Sequence, residues 1–284
     1  MSTSEKLIEN FPHLFPRVEL ANSSDVFNGA TFNEWEQKAI IIHKPEGGIH
    51  VGGLASNKYS LHKNEDIFLP IADKIDSMFG EKNVKVRLKN SKPFEYHLYF
   101  EIPSEKTNAI DALYPMSSVT NSYTTQVKAS QFGMIGRVIC GNGLVSISEK
   151  ANIFDIKHTK DNVLDIPQIL IDTEKVYKDF GVYTSHIDTM NNVKLSTIKG
   201  DNNLERLKSI VSGTNFPVKQ IETAFNLAQK EAAQLKQNVT LWLAYNAFNH
   251  ILWHDTTSSM TEKMKIELDG KLVNKAHNLA LQYS

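Results

Sequence analysis

Cationic and apolar side chains alternate within Lys82–Lys92, the most basic stretch of the chain. A period of two predicts a β-strand that buries its apolar side chains and exposes its cations. Lys85, Arg87 and Lys89 would then stand about 6.5–7 Å apart, close to the phosphate spacing of an extended single-stranded nucleic acid. The pattern predicts phosphate contacts, and the alternative is a solvated face of an antiparallel sheet.

Two further segments, residues 55–62 and 117–137, combine polar and aromatic side chains in a way that a buried core alone does not require. Tyr59 and Tyr123 are expected to stack on bases. Phosphate contacts are expected from Lys58, Lys128 and Arg137. The mixture is typical of proteins that bind single strands without sequence preference, and the alternative is polar sequence of an edge strand and its turns.

Metal chemistry is suggested by His250 and His254, which have the spacing of two ligands on one face of a helix. The metalloprotease pattern also needs a glutamate directly after the first histidine, and this chain has Ile251 there. Histidines packed on an aromatic helix are the favoured interpretation. The sequence therefore predicts no metal ligand and no cofactor.

A nucleophile is suggested by Cys140, which follows an apolar run and precedes a glycine-rich turn. A reactive thiolate would suit this position, but a small buried residue would suit it equally, and no spacing selects a base beside it. The glycine pairs of the chain lack the spacing of nucleotide-binding loops. We therefore predict no catalytic residue.

Composition limits the classes of protein further. The chain has 284 residues, a formal net charge of −1 and a pI of about 6.8, whereas a dedicated duplex-DNA domain is usually basic. Its apolar runs fall short of the roughly 18 residues that span a bilayer, and its first residues do not resemble a secretory signal. A single cysteine allows no internal disulfide. We expect a cytoplasmic protein without a membrane span.

The pattern of elements predicts an α+β fold, with a largely antiparallel, β-rich N-terminal part followed by a helical C-terminal part. We expect an N-terminal arm without regular elements over 1–34, a β-rich domain with one helix over 35–162, and a helical region over 163–284 that can pack on the sheet as one unit. A strand pair flanks the turn at Gly47-Gly48, and the helix of the β-rich part starts with Asn64 as its cap and stops at Gly80. Later helices are predicted over 166–180, 201–211, 217–237, 238–254 and 261–281.

Landmark motifs recur in order along the chain, namely Asn57-Lys58-Tyr59-Ser60-Leu61, Asn121-Ser122-Tyr123, the run from Gly136 to Val145, Lys157-His158-Thr159 and Tyr245-Asn246-Ala247-Phe248-Asn249. The most specific pattern lies in the third motif and consists of Arg137, Cys140, Asn142 and Gly143. In these motifs the chain resembles the phage/plasmid-like protein family, a domain of unknown function found in phages, prophages and plasmids. That family has Asp-Gly after the second motif, where this chain has Thr124-Thr125.

The resemblance implies a mobile-element setting and no established reaction. Together with the basic stretch, it leads to the hypothesis of a non-enzymatic protein that binds single-stranded nucleic acid in replication or recombination, as annealing proteins do, and that forms homo-oligomers. Two alternatives stay open. One is a structural or host-interaction phage protein without nucleic-acid binding, and the other is a metal-dependent enzyme acting on nucleic acid, with His158, His186, His250, His254 or neighbouring carboxylates holding the metal.

Overall fold

The computed structural model describes residues 1–44, 47–103, 113–137, 143–145, 152–255, 260 and 262–284. The described residues divide into two compact units. The first unit draws them from Met1–Glu105, Met116–Gly133 and Asn152–Tyr177, and the second from Lys106–Pro115, Met134–Ala151 and Lys178–Ser284. The predicted α+β class is confirmed, because antiparallel sheets fill the N-terminal half and helices the C-terminal half.

The first unit begins with a three-stranded antiparallel sheet of β1 (Val18–Asn22), β2 (Lys38–His43) and β3 (Ile49–Ala55), in that order. The strand pair predicted around Gly47-Gly48 is confirmed. The central strand β2 buries Ile40, Ile41 and Ile42. Branched side chains suit such a strand because they pack closely on a pleated surface.

The N-terminal segment, expected as an arm without regular elements, contains α1 (Thr3–Asn10) and α2 (Ser23–Val26) besides β1. A capping box starts α1: the Ser2 hydroxyl accepts the N–H of Glu5, and the Glu5 carboxylate accepts the N–H of Ser2. The Ser-x-x-Glu pattern is visible in the sequence, and the expectation of an arm overlooked it.

The long helix of the first unit, α3 (Asn64–Phe79), stops at Gly80 as predicted. Gly80 has a φ of 83°, a left-handed conformation that glycine adopts without strain. The prediction that Asn64 caps the helix is wrong, because Lys63 occupies the N-cap position. The Asn64 side chain is buried instead, and its amide donates to the carbonyl of Leu14 at 2.6 Å.

The second sheet has the order β4-β5-β6-β7-β8, with β9 also paired to β7, and its strands are β4 (Lys85–Lys92), β5 (Glu95–Glu101), β6 (Leu113–Ser122), β7 (Ala129–Arg137), β8 (Gly143–Val145) and β9 (Asn152–Ile156). In the first unit, apolar side chains of this sheet share one core with α3 and with α4 (Ile166–Lys178). Strand β4 is an edge strand.

The second unit is built on helices, namely α5 (Phe180–Asn192), α6 (Asn203–Val211), α7 (Ile221–Gln234), α8 (Leu241–His250) and α9 (Glu262–Tyr283). Four of these match predicted helices, whereas α5 was missed because Gly181 was taken as a break. Helix α8 is buried from Leu241 to Asn249 and forms the centre of this unit. None of the helices in the described ranges combines the length and apolar composition needed to cross a membrane.

Candidate functional site

The basic row, which we define as Lys85, Arg87 and Lys89, lies along one face of the edge strand β4. All three residues are exposed, whereas Val84 is buried and the residues between the cations are half-buried. The alternation predicted from the sequence is therefore present. Cations on one face of an edge strand can follow a polyanion without disturbing the sheet.

Arg87 also contacts its own sheet. Its Nε donates to Glu101 Oε1 at 3.0 Å, and its guanidinium lies 4.6 Å from the centre of the Tyr99 ring. Glu101 is directly opposite Lys85 in the strand register. A phosphate that binds Arg87 therefore competes with Glu101 for the guanidinium.

The two tyrosines expected to stack on bases are buried. Tyr59 is 8% exposed and stacks on His158, and Tyr123 is 0% exposed within the core of the first unit. Stacking needs an accessible ring face, which neither tyrosine has. The expectation of base stacking by Tyr59 and Tyr123 is therefore corrected.

The remaining predicted contacts are dispersed. Lys58 is exposed in the turn after β3, whereas Lys128 Nζ pairs with Asp155 at 3.0 Å. Arg137 ends β7 in the second unit, and its side chain is not among the described ones. Cys140 and Asn142 lie outside the described residues, while Gly143 opens β8 opposite Gly136.

Landmark motifs that are far apart in sequence meet in the first unit. Tyr59 forms an isolated antiparallel bridge with Thr159, and the N–H of Ser60 donates to the carbonyl of His158 at 3.1 Å. Asn121 Nδ2 donates to the carbonyl of His62 at 2.9 Å. Three motifs therefore fix one small region of backbone that carries two histidines.

The motif Asn121-Ser122-Tyr123 also makes hydrogen bonds to the start of α3. Asn121 Nδ2 also donates to Asn64 Oδ1 at 2.8 Å, and Tyr123 Oη accepts the backbone N–H of Asn64 at 2.8 Å. All three side chains are buried. Buried hydrogen bonds of this kind fix the backbone beside His62, whose own ring also contacts the backbone of Lys157.

We define the histidine cluster as Tyr59, His62, Asn121 and His158. The His158 ring lies 5.4 Å from the Tyr59 ring, nearly parallel to it, and 5.0 Å from the His62 ring. Five buried side-chain atoms have no hydrogen-bond partner among the described residues, namely Tyr59 Oη, His62 Nε2, Asn121 Oδ1 and both ring nitrogens of His158. Such groups are rare in folded proteins and mark a place where a ligand or ion can bind.

Burial favours the neutral form of the His62 and His158 rings. Burial, with a smaller contribution from His62, lowers the pKa of His158 to about 4. Burial likewise lowers the pKa of His62 below its ordinary value. At neutral pH these rings carry no charge, so they offer nitrogen lone pairs rather than cations.

Gly52 lies where the backbone of β3 passes close to the backbone of Tyr123. A Cβ on Gly52 would lie 2.3 Å from the carbonyl oxygen of Tyr123, so only glycine lets β3 pass the turn after β6. In the same turn Thr125 has a φ of 62°. The family resembled in the sequence has glycine at this position, and the left-handed conformation is present here with threonine.

The Tyr-Asn-Ala motif lies in the second unit and is also a buried polar network. Tyr245 Oη donates to Asp269 Oδ1 at 2.8 Å, and Asn249 Nδ2 donates to Asp269 Oδ2 at 3.0 Å. Burial and the Asp269 carboxylate raise the pKa of Tyr245 well above its usual value. These hydrogen bonds join α8 to α9, so the network stabilises the packing of the two helices in that unit.

Other histidines form pairs of a different kind. His250 and His254 are 4.7 Å apart between ring centres, and His186 stacks on His277 at 4.2 Å. Within the described ranges, no group of three or more His, Cys, Asp or Glu side chains is arranged to hold a metal ion. Sequence reasoning did not single out His62, although it lies in a segment chosen for its polar and aromatic side chains.

The model of one protein family, described as Domain of unknown function (DUF932), matches residues 53–276, which is more than half of the chain. This stretch contains the basic row and the whole histidine cluster. No curated protein and no solved structure gives a significant match.

Proposed function

Because the chain belongs to the family described as Domain of unknown function (DUF932), we propose its function from geometry: it binds single-stranded nucleic acid through the phosphates, along the basic row of β4. The observation that carries this proposal is the exposure of Lys85, Arg87 and Lys89 on one face of an edge strand. Cations spaced at two-residue intervals along a strand match an extended chain of phosphates.

The charge around the row supports an anionic ligand. Lys82 and Lys92 extend it at either end, and the sequence from Lys82 to Lys92 contains no carboxylate. The acidic side chains opposite are withdrawn from solvent, since Glu95 is 4% and Glu101 is 15% exposed. The charged side chains exposed along β4 are therefore cationic, although the whole chain is nearly neutral.

The mode of binding follows from what the row lacks. Tyr59 and Tyr123 are buried, so base stacking does not contribute to the proposed contact. Binding through phosphates alone is independent of sequence, weakens steeply with salt, and is modest for a single chain.

An oligomer would compensate for this weakness, because repeated copies of the row along one strand multiply modest contacts. Rings or filaments of this kind suit a strand-annealing role in replication or recombination. The resemblance to the phage/plasmid-like family supports a mobile-element setting for that role. Oligomerisation and setting are both parts of the proposal.

The test is a fluorescence anisotropy titration of labelled oligothymidine at several salt concentrations. For three phosphate contacts we expect log affinity to fall with log salt with a slope of about −2. The triple variant Lys85→Gln/Arg87→Gln/Lys89→Gln should lose most of the affinity and most of this slope. A matched control, Lys219→Gln/Lys230→Gln/Lys236→Gln, removes the same charge from exposed positions of the second unit and should bind as the wild type.

Lysines on edge strands also prevent edge-to-edge aggregation, so sedimentation of the triple variant is needed alongside the titration. A soluble triple variant that binds as the wild type would overturn the proposal. Wild-type protein that fails to bind at low salt would overturn it as well.

A further inference from the structure

The histidine cluster contains more unsatisfied polar groups than packing alone explains. His158 is 6% exposed and Tyr59 is 8% exposed, and their buried polar atoms make no hydrogen bond of good geometry in the described part of the chain, although the His158 ring approaches the backbone of Ser60. A buried donor or acceptor without a partner destabilises a folded chain. A fold that keeps five such atoms together is stabilised by whatever binds them.

The separation of the two imidazoles fits a shared ion. A metal–nitrogen distance of about 2.1 Å, plus about 1.1 Å from nitrogen to ring centre, places each ring centre roughly 3.2 Å from the metal. A tetrahedral angle then separates the two centres by about 5.2 Å. The observed separation of His62 and His158 is 5.0 Å.

The local charge favours a cation over an anion. The carboxylates of Glu65 and Asp66, in the first turn of α3, act on Tyr123, and that of Asp66 also acts on His62. The imidazoles themselves are neutral, so they offer no positive charge to an anion. Imidazole nitrogen is also a preferred ligand of first-row transition metals, whereas magnesium and calcium prefer oxygen.

We propose that the histidine cluster binds a divalent first-row transition metal ion, of which Zn²⁺ is the reference case, through His62 and His158. Tyr59 Oη and Asn121 Oδ1 are the oxygen atoms of the cluster without a hydrogen-bond partner among the described residues, and the Tyr59 ring orients His158 by stacking on it. With two imidazole ligands the ion keeps open positions for water or for further ligands.

Two other histidine pairs serve as internal comparisons. His186 and His277 lie 4.2 Å apart with nearly parallel, stacked rings, which is closer than the separation of about 5.2 Å expected for two ligands of one ion. His250 and His254 have a suitable separation, but His250 ends α8 and His254 follows it, and their nitrogens are not among the buried atoms without a partner. The proposed pair has three buried nitrogens without a hydrogen-bond partner among the described residues, whereas the His186–His277 pair has one, His186 Nδ1.

Tag-free full-length protein, stripped with a chelator, would be titrated with Zn²⁺ and Co²⁺ and its retained metal counted by mass spectrometry after desalting. We expect about one ion per chain and a higher thermal unfolding temperature. X-ray absorption at the zinc edge of the wild type should show two imidazole ligands. Protein that retains no ion, or zinc without imidazole ligands, would overturn the proposal whether or not any variant folds.

Variants then locate the ion. His62→Gln and His158→Gln should each weaken binding by at least about tenfold. His250→Gln is the matched control, because it removes one imidazole of the i, i+4 pair in α8, and it should bind as the wild type. Loss of the ion in His250→Gln, or full binding by folded His62→Gln and His158→Gln, would place the metal elsewhere and refute the assignment.

Discussion

Tyr123 Oη accepts the backbone N–H of Asn64 at 2.8 Å, although 59 residues separate the two in sequence. The bond satisfies the amide of the first residue of α3, at a helix end where such donors have no partner within the helix. Because both residues are 0% exposed, water cannot replace it. Tyr123 thus acts as a structural partner of the helix and of the turn that carries His62.

Tyr123→Phe should lower the free energy of unfolding by about 1–3 kcal/mol, because it leaves the buried N–H of Asn64 without an acceptor. Tyr283→Phe is the control, since the Tyr283 hydroxyl accepts the N–H of Lys199 at an exposed site and its loss should cost less than about 0.5 kcal/mol. Urea unfolding measures both. Equal losses for the two variants would contradict this role of Tyr123.

Thr125→Gly should raise the free energy of unfolding by about 0.5–1 kcal/mol. A β-branched residue in the left-handed region costs about 1–2 kcal/mol, and the greater entropy of glycine in the unfolded chain offsets part of the relief. Thr184→Gly, in helix α5, is the control and should lower the free energy of unfolding by about 0.3–0.5 kcal/mol. Chemical denaturation measures the free energy of unfolding of both variants. Destabilisation by Thr125→Gly would contradict the prediction, because the contacts of the threonine would then stabilise the turn by more than its backbone strain costs.

Gly52→Ala should destabilise the protein by about 1–3 kcal/mol or prevent folding, because the new methyl group meets the backbone of Tyr123, which cannot rotate away. Gly270→Ala places the same methyl group within α9, where nothing lies within 4 Å, and should stabilise it by about 0.5–1 kcal/mol. Thermal unfolding of the two variants distinguishes a steric clash at residue 52 from the general effect of replacing glycine with alanine. Similar melting temperatures would refute the close approach.

Acidification should destabilise the protein through His158. Its pKa falls from an ordinary 6.5 to about 4 in the folded chain, so between these values the unfolded chain binds more protons than the folded one. The free energy of unfolding should therefore fall as the pH drops from 6.5 to 4, by about 2–3 kcal/mol from this residue. His158→Gln, compared with the wild type by urea unfolding in the presence of a chelator, should lose that much less. Parallel pH profiles would contradict the burial of a neutral His158.

Glu101→Gln should strengthen binding of single-stranded DNA by about two- to fivefold at low salt, since it releases Arg87 and removes a negative charge opposite Lys85. Glu222→Gln changes the net charge equally at an exposed position of α7 and should leave affinity unchanged. Anisotropy titrations of both variants at one salt concentration provide the measurement. An equal gain in both would indicate a general charge effect rather than the basic row.

Local patterns were sufficient to predict most of the fold. The period-two segment around Arg87 gave strand β4, and the stop of α3 at Gly80 followed from a residue that tolerates a positive φ. Helix α5 was missed because Gly181 was treated as a break, although a glycine in the first turn of a helix costs little when later turns bury Tyr183 and Ile187.

Of the two candidate sites, local sequence patterns could predict the basic row but not the histidine cluster. The basic row was predictable because its residues are neighbours on one strand. The histidine cluster joins Tyr59, His62, Asn121 and His158 across 100 residues of sequence, and no spacing rule connects them. The burial of Tyr59 and Tyr123 was equally hidden, because an amphipathic aromatic side chain suits a surface or a core, and its neighbours in three dimensions decide between them.

The interleaved chain of the two units has a consequence for biosynthesis. The first unit takes its last stretch, Asn152–Tyr177, after the chain has already contributed to the second. A nascent polypeptide on the ribosome therefore carries the unpaired strands and apolar faces of an incomplete core until Tyr177 has emerged, and such exposed faces make incomplete chains prone to aggregation.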